Sequence, residues 1–397
     1  MRADLRGIAQ KLALAATLAS IGYTAFAVIR VRNFGRRARD RASAERLPVP
    51  RAKPPPVTVL KPVHGLEPGL EENLRSFCDQ DYPEYAVVFG VHHAGDPALD
   101  VIRCVAAAFP DRTTVVVGDG VARFRNPKIA NVAPMLPHAS GEIVVIADSD
   151  MRVTPEYLRA VVEPFDDSRV GAVTAIYRGE PADRTTASAL GAMWITEQFA
   201  PSALVANALE PLAHTFGATM AVRRSVLDAV GGLAALGDRL ADDHALGRLV
   251  AERGDIVALA PYVVENIVAE PSLRAMMRHE LRWARTIRSV RPGSYPGIVL
   301  TYPVPLALLH AALARRKKRA FALLALAVTM RFALRAAAHR ALGTKTRPCA
   351  ALVPLRDLAG VTVWMLGLFG NEVRWRDASL HVTPHGEIEA ASTRLER

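Results

Sequence analysis

Asp148 and Asp150 stand one residue apart at the end of the apolar run Glu142–Ala147. That run reads as a buried strand, and in an alternating α/β chain the carboxyl ends of strands open on the crevice where ligands bind. Two carboxylates there can hold a divalent cation, Mg2+ or Mn2+, against the oxygens of a diphosphate. The cation would neutralise the charge of a departing diphosphate. The same spacing suits a solvated acidic turn; the apolar strand in front of it favours the site. A second acidic pair, Asp242-Asp243, precedes His244 at the start of a predicted helix. Acidic residues in a first turn complement the helix dipole. Their chemical alternative is a general base that takes a proton from an acceptor hydroxyl.

A third cluster, Arg278-His279-Glu280-Leu281-Arg282-Trp283, falls on a basic helix. His279, Arg282 and Trp283 are spaced i, i+3, i+4 and share one face. Arg282 can pair with phosphate oxygens through its planar fork. Trp283 can wall a sugar ring or a lipid. A basic helix of this kind also suits anionic headgroups. Lys61 follows the first strand, Asp96 lies beyond the strand Tyr85–Val91, and Lys128 sits in the loop Asn126-Pro127-Lys128. Each alone reads as a surface residue. Around one crevice they would supply acid, metal ligands and cations for a nucleoside diphosphate. The chain holds no G-x-G-x-x-G after a strand, no P-loop, no G-x-S-x-G and no H-E-x-x-H, so dinucleotide, kinase, serine-hydrolase and zinc-protease chemistries lack support.

The elements that must position these residues alternate. Strands are expected at Val57–Leu60, Tyr85–Val91, Thr113–Val117, Glu142–Ala147 and Val170–Tyr177. Helices are expected at Leu70–Phe77, Ala98–Phe109, after an N-cap at Thr154, after Ser225 up to Gly231-Gly232, and up to about Arg253 ahead of Gly254. A long basic helix should open at Pro271-Ser272 and run through Val290. The pattern predicts an α/β fold with a mostly parallel sheet covered by helices.

The chain has 397 residues, half of them hydrophobic, with 50 Lys and Arg against 39 Asp and Glu. Mean hydropathy is +0.13 and the pI is about 9.9. That excludes a disordered chain and points to a polyanionic partner. Much of the excess charge flanks apolar runs, at Arg30–Arg46 and Arg315–Arg319, which favours an anionic bilayer. Nucleic acid is not expected, because aromatics make up only 6% and do not interleave with the basic residues. Three widely spaced cysteines, Cys78, Cys104 and Cys349, form no zinc or disulfide pattern.

Leu12–Ile29 is 18 residues without a charge, long enough to span a bilayer. A secretory signal is the alternative, but the run is long for one and its basic cluster lies on the wrong side. Seven arginines follow it up to Arg46, which places the downstream chain in the cytoplasm. The expected organisation is an anchor with a basic flank (1–46), a Pro-rich linker (47–56), a cytoplasmic catalytic domain (57–292), membrane or interfacial helices (293–371) and a cytoplasmic tail (372–397). Ser294–Ala314 carries three prolines and is expected to lie in the interface or re-enter. Ala320–Met330 and Leu358–Asn371 are expected to cross out and back.

Val59-Leu60-Lys61-Pro62, Asp81-Tyr82-Pro83, Asp96-Pro97, Asn126-Pro127-Lys128, Asp148-Ser149, Asp242-Asp243 and Arg282-Trp283 occur in that order. Together they resemble the ceramide glucosyltransferase branch of the inverting family 2-type glycosyltransferases, over about Lys53 to Arg288. A weaker echo stands at Arg374-Trp375-Arg376. Within the branch, residues 76–83 and 88–91 look most like the hopanoid-biosynthesis glycosyltransferases of bacteria. The resemblance implies a GT-A fold and a site at the inner face of a bacterial cell membrane. Asp96 would contact uridine. Asp148, with Asp150, would hold the metal and diphosphate, and Asp243 would be the catalytic base. Arg282 and Trp283 match the end of a Q/R-x-x-R-W element, and His279 stands where Gln or Arg is usual. The implied reaction is a single displacement with inversion. A UDP-sugar donates to a membrane lipid: N-acetylglucosamine to bacteriohopanetetrol in the hopanoid branch, glucose to ceramide in the other. A processive polysaccharide synthase should show several long spans and an intact Q-x-x-R-W. A basic membrane-surface binding protein would not need Asp243.

Overall fold

The computed structural model describes residues 2–44, 54–370, 372–375, 378–383 and 386–389. Most of the expected Pro-rich linker, and Arg376 in the tail, lie outside the described residues; Pro54–Pro56 have no regular structure.

The centre is an eight-stranded sheet: β1 Val57–Val63, β2 Tyr85–Val91, β3 Thr113–Val117, β4 Ile143–Ile146, β5 Met151–Arg152, β6 Val170–Pro181, β7 Met220–Arg223 and β8 Ile256–Val268. Its order is β3-β2-β1-β4-β7-β6-β8-β5. The half made of β3, β2, β1 and β4 is parallel, as alternation predicts. β7 then enters antiparallel to both β4 and β6, whereas β6 and β8 are parallel. Neither β7 nor β8 is expected from the sequence. The four residues of β7 are too few to carry a period. In β8 the pairing with β6 shifts register between Ala175 and Ile176, which blurs any alternation.

Successive side chains of a strand face opposite sides. Val57, Val59, Val87, Phe89, Ile143 and Val145 therefore build one apolar layer. Leu60, Val88, Val144, Ile146 and Val222 build the other. A sheet covered on both faces explains why these strands read as continuous apolar runs. The expected helices form with shifted starts. Thr154 does not cap the next helix, which begins at Tyr157; its hydroxyl meets the Tyr262 hydroxyl at 2.9 Å instead. Ser225 lies inside the first turn of Arg224–Ala229. Ser272 does cap Leu273–Val290, accepting from the Ala275 N–H at 3.1 Å.

The N-terminal helix runs from Arg2 to Ala44. Ala27, Val28, Val31 and Phe34 pack on Leu334, Ala337 and Ala338 of the helix Lys317–Ala341 and on Ile176 of β6. Gly35 permits the closest approach: a Cβ there would sit 2.6 Å from that of Ala341. Among the described residues, three helices are long and apolar enough to cross a membrane: Leu5–Arg41, Lys317–Ala341 and Ala350–Gly367. Tyr295–Thr301 and Pro303–Leu313 meet at 83°, the break that the prolines lead one to expect. The helix Val353–Gly367 lies along Leu273–Val290: Val353 packs on Met276 near its start, and Val363 on Ala284 near its end. The sequence expects Leu358–Asn371 to cross, and Ala350–Gly367 is long and apolar enough to do so.

Arg331 and Arg335 interrupt the apolar run of Lys317–Ala341 because they turn inward. Glu197, fully buried on a π-helical turn at Ile195–Phe199, accepts from Arg331 at 2.9 Å and from Arg335, and meets His339 Nε2 at 3.0 Å. Arg331 also pairs with Asp357 at 3.0 Å. Buried charges of this kind are costly to unpair. Glu197→Ala is expected to lower unfolding free energy by about 3–5 kcal/mol, read as a lower Tm in detergent. Glu197→Gln, which keeps hydrogen bonds but loses the charge, should fall between. An unchanged Tm for both would remove the network from the account of how the helices attach.

The tail forms an antiparallel sheet of β9 Glu372–Trp375, β10 Ala378–Val382 and β11 Ile388–Glu389. Val373 and Ile388 pack on Leu240, and the Ile388 N–H bonds the Asp238 carbonyl at 2.8 Å. The described strands of the tail therefore pack against the sheet domain.

Candidate active site

One cavity of about 890 Å3 opens at the carboxyl end of the sheet. Its wall includes Lys128, Asp148, Asp150, Asp243, His279, Arg282 and Trp283. Seven of the nine residues singled out in the sequence thus share one space. Lys61 and Asp96 stand behind the wall. The Asp96 carboxylate accepts from the Gly65 N–H at 2.9 Å and from the Ala98 N–H at 2.9 Å. It shapes the turn at His64–Gly65, which carries His64 into the cavity wall, and starts the helix Ala98–Ala108. Lys61 is fully buried, donates to the Asp148 carbonyl, and lies 3.9 Å over the Phe77 ring. Burial pulls its ammonium down to about 7, against the pull of Asp150 and Asp148.

Asn126 makes the Lys128 loop. Its side chain accepts from the Lys128 N–H at 2.8 Å and the Ile129 N–H at 3.1 Å, and Pro127 takes the first helical position. The same side chain donates to the Arg239 carbonyl at 2.7 Å, tying this turn to the loop before Asp242. Lys128 Nζ then meets Asp148 at 2.7 Å and Asp242 at 3.4 Å. Burial disfavours its charge, but Asp148 and Asp242 outweigh that and hold it above the usual lysine range.

Gly217 joins the two acidic pairs. Its N–H donates to Asp243 Oδ2 at 3.1 Å, and a Cβ in its place would sit 2.7 Å from Asp148 Oδ2. Only glycine leaves both carboxylates in position. Asp243 also accepts from its neighbour's amide, the His244 N–H, at 2.7 Å. Burial, then the charge of Asp242, pushes the Asp243 carboxyl above the ordinary carboxylate range. Asp150 is raised by burial, then by Glu67 and Asp148, and receives a hydrogen bond from Asn266 at 2.7 Å. Like charges that hold protons against each other make a place for a cation. Among the described residues no three His, Cys, Asp or Glu side chains cluster closely enough to hold a metal alone. Asp148 and Asp150 fit an ion whose shell is completed by phosphate oxygens and water.

The opposite wall is aromatic and basic. Trp283 stacks on Trp194, with ring centroids 4.7 Å apart, and Trp194 stacks on Phe199. The Arg282 guanidinium lies 5.9 Å from the Trp283 ring centre. Glu280, next to His279, pairs with buried Arg356 through both oxygens, at 2.5 and 2.6 Å. Sequence reading missed Glu67, Tyr177, Trp194, Gly217, Asn266 and Glu270. None sits in a recognisable motif; Trp194 comes to the back of Trp283, and the others to the cavity wall, through chain crossings that local pattern does not encode.

The chain is 24% identical over 251 residues to ceramide glucosyltransferase 3 of Caenorhabditis elegans, covering 63% of this chain and 53% of that one. It is 26% identical over 255 residues to an N-acetylglucosaminyltransferase of Rhizobium meliloti, covering 58% and 55%. The chain thus spans about half the length of these curated relatives. Among solved structures, the mannosyltransferase PcManGT of Pyrobaculum calidifontis, in complex with GDP-Man and Mn2+, superposes with a TM-score of 0.54 at 22% identity, covering 90% of this chain and 97% of that one. That likeness establishes a GT-A-like fold. With residues 12–388 matching glycosyl transferase family 21 as well, the chain belongs to that family.

Proposed function

We propose that the protein is an inverting, UDP-sugar-dependent glycosyltransferase that acts at a membrane surface on a lipid hydroxyl. The observation that carries this reading is Gly217, which brings the carboxylates of Asp148 and Asp243 to either side of one backbone position. A diphosphate ligand and a proton acceptor on one cavity wall are what a single displacement needs.

Asp243 takes the proton of the acceptor hydroxyl as that oxygen attacks the anomeric carbon. Its raised proton affinity suits a base that must gain a proton and then release it. Asp148 and Asp150 hold a divalent cation, Mg2+ or Mn2+, which when bound neutralises charge on the leaving UDP. Lys128 keeps Asp148 oriented through their 2.7 Å pair, and Arg282 faces the diphosphate from the other wall. Asp96 supports the turn that meets the uridine, and Lys61 braces the chain at Asp148. Trp283, backed by Trp194, walls the acceptor side. The broken helices Tyr295–Thr301 and Pro303–Leu313, which meet at 83°, are the acceptor's route from the bilayer in this reading. The basic flank after the N-terminal span keeps the cavity on the cytoplasmic side of a bacterial cell membrane, where UDP-sugars are made.

Within this reading the donor is UDP-N-acetylglucosamine and the acceptor a hopanoid polyol, bacteriohopanetetrol. Transfer of glucose to ceramide is the second reading, favoured by the similarity to ceramide glucosyltransferases. The test is a membrane assay with Mn2+, bacteriohopanetetrol or ceramide, and UDP-N-acetylglucosamine and UDP-glucose labelled in parallel. Label from UDP-N-acetylglucosamine on the polyol, in β-linkage from the α-linked donor, is expected. Glucose on ceramide would select the second reading, and no glycolipid from any combination would overturn both.

A further inference from the structure

The family's diphosphate-facing position usually carries Gln or Arg, and this chain has His279 there. The structure supplies a partner. His279 Nδ1 lies 2.8 Å from Oε1 of Glu270, on the segment leaving β8. Glu270 is 8% exposed, and His279 is the side chain that its carboxylate meets among the described residues. Its backbone N–H is fixed by Ser188 at 3.0 Å. The imidazole also rests on the Trp283 ring, centroids 4.1 Å apart, and that indole is braced by Trp194. The ring is thus held by a carboxylate on one edge and an aromatic face beside it. No protein partner is found for Nε2 among the described residues, and His279 lines the cavity.

We infer that Glu270 is a positioning residue that makes His279 a proton-dependent substitute for the family's arginine: donor binding draws a proton onto the imidazole, which then bridges Glu270 and the donor diphosphate. The inference rests on the UDP-sugar reading above. A neutral imidazole that gives its Nδ1–H to Glu270 has only a lone pair left at Nε2, which repels phosphate oxygens. Protonated, it donates from both nitrogens. Other charged and titratable groups share the cavity, His64 and Glu67 among them. Arg278 and Arg282 lie on the same helix and also line the cavity. Glu280 is neutralised by Arg356 of the helix Val353–Gly367. The helix Thr186–Trp194 contributes Ser188, Gly191 and Trp194, all uncharged. Lys128, Asp148, Asp150, Asp242 and Asp243 share the cavity, with Lys128 paired to Asp148.

The experiment is calorimetric titration of the full chain in nanodiscs with UDP and Mn2+, in two buffers of different ionisation enthalpy, from about pH 6 to about pH 8.5, the range that brackets imidazole titration. Wild-type protein is expected to take up part of a proton on binding and to lose affinity about tenfold across that range. His279→Arg should bind UDP with neither the uptake nor the loss. Glu270→Gln should bind more weakly at pH 6, with a smaller uptake. Titration of UDP and of the cavity carboxylates is common to wild type and His279→Arg, so the difference between the two isolates the imidazole. Equal proton uptake in wild type and His279→Arg would overturn the inference and leave the donor reading standing. Failure of UDP to bind wild-type protein at any pH would overturn the donor reading, and this inference with it.

Discussion

Asp243→Asn is expected to lower kcat about a thousandfold, with UDP affinity in Mn2+ changed by less than about threefold. The substitution keeps size and an oxygen for one of the two N–H groups, Gly217 and His244, which bond the two oxygens of Asp243 at 3.1 and 2.7 Å. What it removes is the ability to take a proton. The pH dependence supplies an independent check. Burial and Asp242 hold the Asp243 carboxyl above the ordinary range near 3.9. The ionised form is the active base, so the rate should fall as pH drops through that raised value, at less acid pH than an unperturbed carboxylate would show. The residual activity of Asp243→Asn should lack that acid limb. A variant that turns over at the wild-type rate would remove Asp243 from the role of base.

Asp148→Ala should abolish metal-dependent UDP binding and with it turnover, a loss of about a thousandfold or more, because the cation's share of leaving-group stabilisation is several kcal/mol. Two effects combine. On the proposed reading the ion loses one of its two carboxylate ligands; the other, Asp150, already accepts from Asn266 at 2.7 Å. Lys128 also loses its 2.7 Å partner and is left with Asp242 at 3.4 Å, free to swing toward the empty place. Equilibrium dialysis of UDP with and without Mn2+ reads the first effect. Circular dichroism and Tm read the integrity of the fold, which should persist because Asp148 lies beyond the last residue of β4, not within its core. Metal-stimulated UDP binding equal to wild type would place the cation elsewhere.

The contrast between these acidic pairs shows what could be seen before folding. Asp148-Ser149-Asp150 is legible because an apolar strand, Ile143–Ile146, ends on it, and strand ends in α/β sheets face the crevice. Asp242-Asp243 is legible only as a helix start; its carboxylate becomes a candidate base when Gly217, from a distant turn, meets it. Arg331 and Arg335 mislead in the opposite sense. They look like interruptions of a span, yet Glu197 and Asp357 account for them inside the structure.

Composition, alternation and the order of the motifs determined the class of this protein: an α/β domain beside apolar helices, with acid, cation and aromatic side chains suited to a nucleoside diphosphate. Those features are local, since strand period, capping residues and run length are written in neighbouring residues. Tertiary structure decided the rest. It inserted β7 antiparallel between β4 and β6, set Lys61 and Asp96 behind the cavity wall, laid Val353–Gly367 along the basic helix, and gave His279 its carboxylate. Each depends on contacts between segments far apart in the chain, whose free energy exists only once the sheet brings them together.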